Sequence, residues 1–516
     1  MGPARLVEVH VGIDAAGEDQ PVAGLNHLIG VRALLRIHQR RYAAAGDRDR
    51  RGKDAGEGHD DPADNGRFVF HGPGYSIHRK GFPVGARERP VTMRRTIVIG
   101  AGIVGLLSAY ELQRRGHHVT ILDKGDPGAA CSSGNAGWIV PSFSGPLPGP
   151  GLVTGTLRSM MDPESPIRVR PEVTRDLARW VWMFWRRCNQ ADYQAGYGAV
   201  AAMNRRTMTR YDALRADGVV FEMHRTGLLF VFLDARSKHH HLADLALLEP
   251  HGYPPPRELS GAEVRDLEPG VAPRVMGGLL LEGERHVRPE TLTAGLVARL
   301  AQVGVEIRTR VEVTGVRRRG RREASAVITR GGEAEADRVL LAAGAWSGLL
   351  ARRMGFHLPM LVGKGYSITV TQPALRLGRA VQLSEAKVAC SPFRAALRIA
   401  GTVEITSPTP AIARRRLAAI RRAASRYLLD WDRGEGAVEW MGMRPFLPDG
   451  LPAIGRAPGY DNLYVATGHG MLGITLGPTT AAAIADLMDG GHPDVDLAAF
   501  DPARFSRRDP TRPHRT

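Results

Sequence analysis

The sequence predicts an α/β protein: a Rossmann-like domain split into separated segments, with an α+β domain containing a mostly antiparallel sheet inserted between them. Three observations predict it. A strand, a glycine-rich turn, a helix and a second strand follow one another from Thr96 to Asp123. A buried strand at Arg338–Gly344, then a strand, glycine loop and helix from Asn462 to Met488, restore that pattern late in the chain. Between these segments lie helical patterns, followed by β-branched and apolar runs that read as strands to about Thr406.

Residues 1–92 stand apart. They are rich in Gly, Arg and Asp, and the run from Ala45 to Asn65 has almost no apolar residue. Such a stretch cannot bury enough surface to offset its ordering entropy. Only Leu25–Tyr42 has a helical apolar pattern. We expect a disordered extension or a mistaken start, with the functional chain beginning at Met93.

Next comes Ile97-Val98-Ile99, an apolar run ending at Gly100. Gly100, Gly102 and Gly105, with Ala101, Ile103 and Val104 between them, form G-x-G-x-x-G before a helical pattern from Leu106. Gly100 allows the tight bend, Gly102 lets a pyrophosphate approach the backbone, and Gly105 lets the helix pack on the strand. The phosphates then meet the positive end of that helix. Asp123, followed by Lys124, closes the second strand, at the spacing of a carboxylate that binds adenosine ribose hydroxyls. The unit therefore predicts a dinucleotide, FAD or NAD.

Downstream, Ser132–Gly137 is a small-residue loop, and Pro141–Gly151 is rich in Pro and Gly. Arg175–Cys188 is a tryptophan-rich helix and Gly227–Leu233 a strand. Arg288–Val303 is a helix with Pro289 in its first turn. Val305–Arg308 and Val311–Val316 read as strands, and a final helix is expected from about Pro478 to Met488.

Composition narrows the class. No apolar run reaches membrane-spanning length, and the N-terminus lacks the apolar core of a signal peptide. Cys131, Cys188 and Cys390 lack metal-ligand spacing and read as free thiols of a reducing, cytoplasmic setting. The net charge of +17 invites a nucleic-acid partner. Arginine far outnumbers lysine and is scattered, so none is expected. The clusters at Arg317–Arg322 and Arg414–Arg422 read as a hairpin tip and a solvated helix face.

Several blocks together resemble the FAD-dependent D-amino-acid oxidase superfamily, and within it the bacterial D-amino-acid dehydrogenase (small subunit) family. They are the fingerprint, Gly-Asn-Ala-Gly at 134–137, Ala-Ala-Gly-Ala-Trp-Ser at 342–347 and Gly-Lys-Gly-Tyr-Ser at 363–367. Arg-Ile-Ala-Gly-Thr-Val-Glu at 398–404, Gly-Met-Arg-Pro at 442–445 with Pro-Asp-Gly-Leu-Pro-Ala-Ile-Gly at 448–455, and Asn462–Thr475 complete the set. Ile474 departs from the tryptophan usual there, which bears on substrate shape.

The resemblance implies FAD and oxidation of an amino acid at its α-carbon, giving a 2-oxo acid and ammonia. It implies an FAD-binding domain from 93–140, 281–355 and 440–516, and a substrate-binding domain from 141–280 and 356–439. Arg444 is implied as the carboxylate anchor, a role its planar guanidinium suits. Tyr366 is a candidate substrate contact, and His469 a candidate proton-transfer residue. Asn135, Ala136 and Gly137 are expected beneath the flavin, with Ala343, Gly344 and Trp346 lining the cofactor and Val311 at the adenine. Gly470, Gly473 and Thr475 are expected at a helix N-terminus facing the flavin ring. No metal is expected.

Quinone or oxygen would take the electrons. Glycine, sarcosine or hydroxyproline oxidation is the rival within the class, and an RNA-modifying flavoprotein the rival outside it. The aromatic, basic helix at 175–188 reads first as packed. Peripheral attachment to the inner face of the membrane is the alternative, and a homo-oligomer remains open.

Overall fold

The computed structural model describes residues 94–150, 175–405 and 411–506, and the backbone of 167–169. The expectations for residues 1–92, including the Leu25–Tyr42 helix and a start at Met93, lie outside these residues.

The fingerprint strand Arg95–Ile99 sits inside a six-stranded sheet. Its order is Glu306–Arg308, His118–Leu122, Arg95–Ile99, Arg338–Leu341, Leu463–Thr467 and Ala453–Arg456. The first five strands are parallel and the last is antiparallel. Their apolar runs fit this position, because a parallel sheet is covered on both faces. Val98 and Leu340 face one core, while Ile97, Ile99, Val339 and Leu341 face the other.

Two helices pack on this sheet, Ile103–Arg114 and Gly473–Asp489. The second begins earlier than the sequence suggested, with Pro478 inside it. A proline there cannot donate to the carbonyl of Ile474. That carbonyl accepts instead from the Tyr211 hydroxyl at 2.8 Å, so the helix continues through the proline.

The second large sheet is mixed and mostly antiparallel. Gly436–Phe446, Leu361–Thr371, Ala396–Ile405, Val388–Phe393 and Ala380–Leu383 run antiparallel in that order, followed by Leu228–Phe232, Gly277–Leu281 and Arg257–Ser260. Ala380–Leu383 pairs parallel with Leu228–Phe232, and Ile167–Val169 adds a short parallel strand beside Ala396–Ile405. Lys364 pairs with Glu404 and Tyr366 with Gly401, so the strand Ala396–Ile405 carries one extra residue there, beside Thr402 at φ +58°.

Arg317–Arg322 does span a hairpin tip, between strands Val313–Arg319 and Glu323–Thr329. The helix Arg414–Ala424 exposes Arg414, Arg415 and Arg422 but turns Arg416 inward, so its basic cluster is not wholly a solvated face.

The loop Pro141–Ser144 is tied down by a buried carboxyl. Ser142 donates to Glu284 through its amide at 3.0 Å and through its hydroxyl. Burial pushes the Glu284 carboxyl up to about 7, although both Ser142 bonds oppose the shift. An acid whose folded pKa is raised holds its proton longer folded than unfolded. Stability therefore falls as pH rises from the ordinary carboxylate range to about 7. Glu284→Gln keeps the acceptor oxygen and removes the charge. We expect it to raise the melting temperature by a few degrees at pH 8, reflecting ~3 kcal/mol, and to change little at pH 4.5. Thermal melts at the two pH values check this.

Candidate active site

A cavity of about 920 Å³ runs from the carboxyl ends of the parallel strands to one face of the mixed sheet. Ligands of open α/β sheets bind at that edge.

At one end lies the fingerprint. Gly100 has φ +113°, and a Cβ there would stand 2.5 Å from the Ala342 carbonyl oxygen. At Gly105 a Cβ would lie 1.9 Å from the Gly100 carbonyl oxygen, so the helix packs on the turn as the motif requires. Asp123 accepts from the Ala101 amide at 2.6 Å and from the Gly125 amide at 2.8 Å. Each carboxylate oxygen has a second lone pair, so Asp123 can still accept from a ribose hydroxyl. The Asp123 carbonyl accepts from the Val311 amide at 2.9 Å, and both residues line the cavity. Lys124 places Nζ 3.7 Å from the centre of the Trp346 ring, and burial lowers its pKa. Ala343 and Gly344 line the cavity beside Trp346. Ile103 and Val104 do so at the first turn of the fingerprint helix.

In the middle, Asn135 closes its own turn. Its side chain accepts from the Gly137 amide at 2.8 Å and donates to the Cys131 carbonyl at 3.0 Å. The mixed sheet clamps this loop from below: Ser391 donates to the Ala136 carbonyl at 2.7 Å, and Arg398 to the Asn135 carbonyl at 2.9 Å. Arg398 also pairs with Glu290 at 2.6 Å, and Glu290 accepts from the Gly134 amide at 3.1 Å. Burial would raise the Glu290 carboxyl, but Arg398 outweighs it and holds the group below its usual range. In the sequence Arg398 stands in the 398–404 block with no sign of this role. Only the folded contact with Glu290, 108 positions away, reveals it.

Across the mixed sheet stands Arg444, on the strand Gly436–Phe446. Gly365 on the next strand makes room for it, since a Cβ there would fall 2.4 Å from the guanidinium carbon. Arg444 donates through Nη1 to the Thr402 carbonyl at 3.3 Å. Among the described residues it pairs with no carboxylate, and burial lowers its pKa. Thr402, which the sequence did not single out, has φ +58° and lies 7% exposed. Thr402 lines the cavity, but its hydroxyl is buried, with no hydrogen-bond partner among the described residues.

The loop Gly468–Gly473 brings His469, Gly470, Gly473 and Thr475 to the cavity wall at the N-terminus of Gly473–Asp489. His469 is buried and bonded through Nε2 to the Thr480 hydroxyl at 3.0 Å. Burial pushes its imidazole down to about 3. Both the burial and the Thr480 bond run against the proton-transfer expectation. The Thr475 hydroxyl is also occupied, donating to the Trp138 carbonyl at 3.1 Å and accepting from the Val140 amide at 3.2 Å. It locks the middle loop to the helix, which leaves backbone amides as the donors at that helix end.

Tyr366 is the second correction. It does not line the cavity. It is fully buried in the core on the far face of the mixed sheet, among Ile368, Val370 and Ile399, and donates to Glu404 at 2.7 Å. Among the described residues no cluster of three or more His, Cys, Asp or Glu could hold a metal ion. No described helix is long and apolar enough to cross a membrane. The tryptophan-rich helix is Arg175–Arg187. It buries Trp180, stacked 5.1 Å from Phe184, but exposes Trp182 and Trp185.

The donor set fits an FAD molecule. One helix N-terminus meets each end of a single cavity, and at the fingerprint a Cβ would fill the space that the turn and helix need. The fingerprint and Asp123 would hold the adenosine diphosphate half. Loop 134–137 and the amides of 470–475 would hold the ring.

The family of FAD dependent oxidoreductases matches residues 95–487. The D-amino acid dehydrogenase of Chromohalobacter salexigens is 31% identical over 420 residues, covering 80% of this chain and all of that protein. The D-amino acid dehydrogenase of Cereibacter sphaeroides is 33% identical over 428 residues, covering 80% and 95% of the two chains. The crystal structure of glycine oxidase from Geobacillus kaustophilus superposes with a TM-score of 0.64 at 23% identity, covering 80% of this chain and 99% of the other. L-proline dehydrogenase from P. horikoshii gives 0.61 at 19%, covering 80% and 98%. These two likenesses concern the fold. The match over 95–487, with the cavity geometry, places this chain in the family of FAD-dependent oxidoreductases of the D-amino-acid oxidase type.

Proposed function

We propose that this flavoenzyme oxidises D-amino acids to 2-oxo acids and ammonia, passing the electrons to a respiratory acceptor. The observation that carries the reading is Arg444: a guanidinium set into the cavity wall, with no protein carboxylate beside it among the described residues. A buried cation without a counter-ion is costly, and a substrate α-carboxylate supplies the missing charge through two parallel hydrogen bonds. The D configuration is supported by the relatives named D-amino acid dehydrogenase.

Bound FAD supplies the two-electron acceptor for oxidation of the Cα–H bond. The protein does the rest by position. Arg444, held by the Thr402 carbonyl, fixes the carboxylate. Arg398, Ser391 and Glu290 hold the loop that would support the ring. The helix end at Gly473 offers a positive field to charge that develops there. His469 is already bonded through Nε2 to Thr480, so it is given no proton-transfer role. Water then adds to the product imine, which breaks down to the 2-oxo acid and ammonia.

The split at 93–140, 281–355 and 440–516 against 141–280 and 356–439 is supported by the parallel and mixed sheets, except that the strand Gly436–Phe446, which carries Arg444, lies wholly in the mixed sheet. A peripheral membrane contact is supported by exposed Trp182 and Trp185 among exposed Arg179, Arg186 and Arg187.

A steady-state assay with a quinone analogue tests the reading. D-amino acids are expected to turn over at least ~10²-fold faster than their L-enantiomers, with one 2-oxo acid formed per acceptor reduced. Equal rates for the two enantiomers would overturn it.

A further inference from the structure

The strand Gly436–Phe446 carries Trp440, Gly442 and Arg444 at alternate positions, so all three share one face. Trp440 is half-buried and, unlike Arg444, does not line the cavity. Gly134, at the head of the loop that would support the flavin ring, does not line it either. The two residues meet behind the cavity wall. Gly134 has φ +64°, and a Cβ there would stand 2.5 Å from both Cγ and Cε2 of Trp440. The indole therefore lies directly against the loop's main chain. Ser367, paired with Trp440 on the next strand, donates to the Gly134 carbonyl at 2.6 Å. The Gly134 amide donates to Glu290 at 3.1 Å. The loop is thus pinned at three points around one glycine.

The other end of the same indole points towards Arg444. A Cβ at Gly442 would lie 2.5 Å from Cζ2 of Trp440, so the six-membered ring rests on Gly442. Gly442 pairs across the strands with Gly365, the glycine that makes room for the Arg444 guanidinium. Two glycines side by side form a flat seat. The indole occupies one and the guanidinium the other, roughly one strand spacing, about 5 Å, apart. One rigid, planar side chain therefore touches the flavin loop at one end and stands beside the guanidinium at the other.

We infer that Trp440 is a positioning residue: it sets the separation between loop 134–137 and the Arg444 guanidinium, and so the distance from the substrate α-carbon to the flavin ring. This rests on Arg444 as the carboxylate anchor and adds what holds that anchor in register with the ring. Oxidation of the Cα–H bond needs the reacting atoms about 3–3.5 Å apart, and a misplacement of about 1 Å can cost ~10²-fold in rate. Arg444 can still bind a carboxylate when its register is lost. Removing the spacer should therefore separate binding from rate.

Trp440→Leu and Trp440→Phe test it in the FAD-loaded enzyme. Three quantities are measured: bound FAD per chain, the Kd of propionate (a carboxylate with no amine to oxidise), and the limiting rate of anaerobic flavin reduction at saturating substrate. The Leu variant is expected to keep FAD and to bind propionate within about threefold of the parent, while its limiting rate falls ~10–10²-fold. The Phe variant, still planar, is expected to recover part of that rate. Gly442→Ala pushes the indole off its seat and is expected to slow the same step, adding nothing further in the Leu background. A parental limiting rate in Trp440→Leu would overturn the inference. So would a loss of rate matched by an equal loss of FAD or of propionate affinity, which would make Trp440 a packing residue. If Arg444→Met slows reduction and Trp440→Leu does not, the inference alone falls. If Arg444→Met leaves reduction unchanged, the anchor reading fails and takes the role of Trp440 with it.

Discussion

Arg444→Met is expected to lower kcat/KM for D-amino acids by roughly 10²–10⁴-fold while leaving FAD bound. Truncating one partner of a buried, hydrogen-bonded charge pair costs about 3–5 kcal/mol, and each 1.36 kcal/mol is tenfold in rate. Methionine retains an unbranched stem, so the walls around Gly365 and Thr402 stay in place. Arg444→Lys is expected to fall between the two, since an ammonium is a point charge and cannot offer parallel bonds. Steady-state kinetics with flavin absorbance as the folding control measures both variants. A Met variant within tenfold of the parent would remove Arg444 from the site.

A single methyl group at Gly105 is expected to be worse for the cofactor than the loss of Arg444. The Cβ would lie 1.9 Å from the Gly100 carbonyl oxygen, a backbone atom that cannot swing aside. The fingerprint helix must then move off the turn by about 1 Å or more, and overpacking of this kind typically costs ~1–3 kcal/mol. The amides of the helix start retreat with it from the pyrophosphate position. We expect purified Gly105→Ala to carry less than about a tenth of the parent's FAD per chain. Gly102→Ala serves as the contrast. Its Cβ would meet only the Ser132 hydroxyl, at 3.3 Å, so the protein should fold, with its melting temperature within a few degrees of the parent's. Equal FAD content in Gly105→Ala and parent would mean that the helix–turn packing is not what shapes the site.

The fingerprint was legible in the sequence because backbone sterics dictate it. A glycine is needed wherever φ is positive or two main chains touch, and Gly100 and Gly105 meet those two conditions. The strands were legible from their apolar runs, and Arg444 from the block around it. Tyr366 was not. Strand side chains alternate between faces, and both faces of Leu361–Thr371 are buried, so the pattern does not say which face meets the cavity. Tyr366 shares its face with Ile368 and Val370, points into the far core and bonds Glu404.

The early start of the last helix was hidden for another reason. Pro478 is a breaker in isolation, and what rescues it is the hydroxyl of Tyr211, more than 260 positions away. The weak basicity of His469 and the unsatisfied hydroxyl of Thr402 are likewise properties of burial. No local pattern encodes them.

The central claim is that the cavity oxidises a D-amino acid held by its carboxylate at Arg444. Anaerobic mixing of the FAD-loaded protein with a panel of D-amino acids and their L-enantiomers tests it most directly, followed by flavin absorbance. The account predicts complete bleaching by D-enantiomers with one 2-oxo acid per flavin, none by L-enantiomers over the same time, and slowed bleaching in Arg444→Met. Bleaching by L-enantiomers at the same rate, or by no amino acid at all, would contradict it.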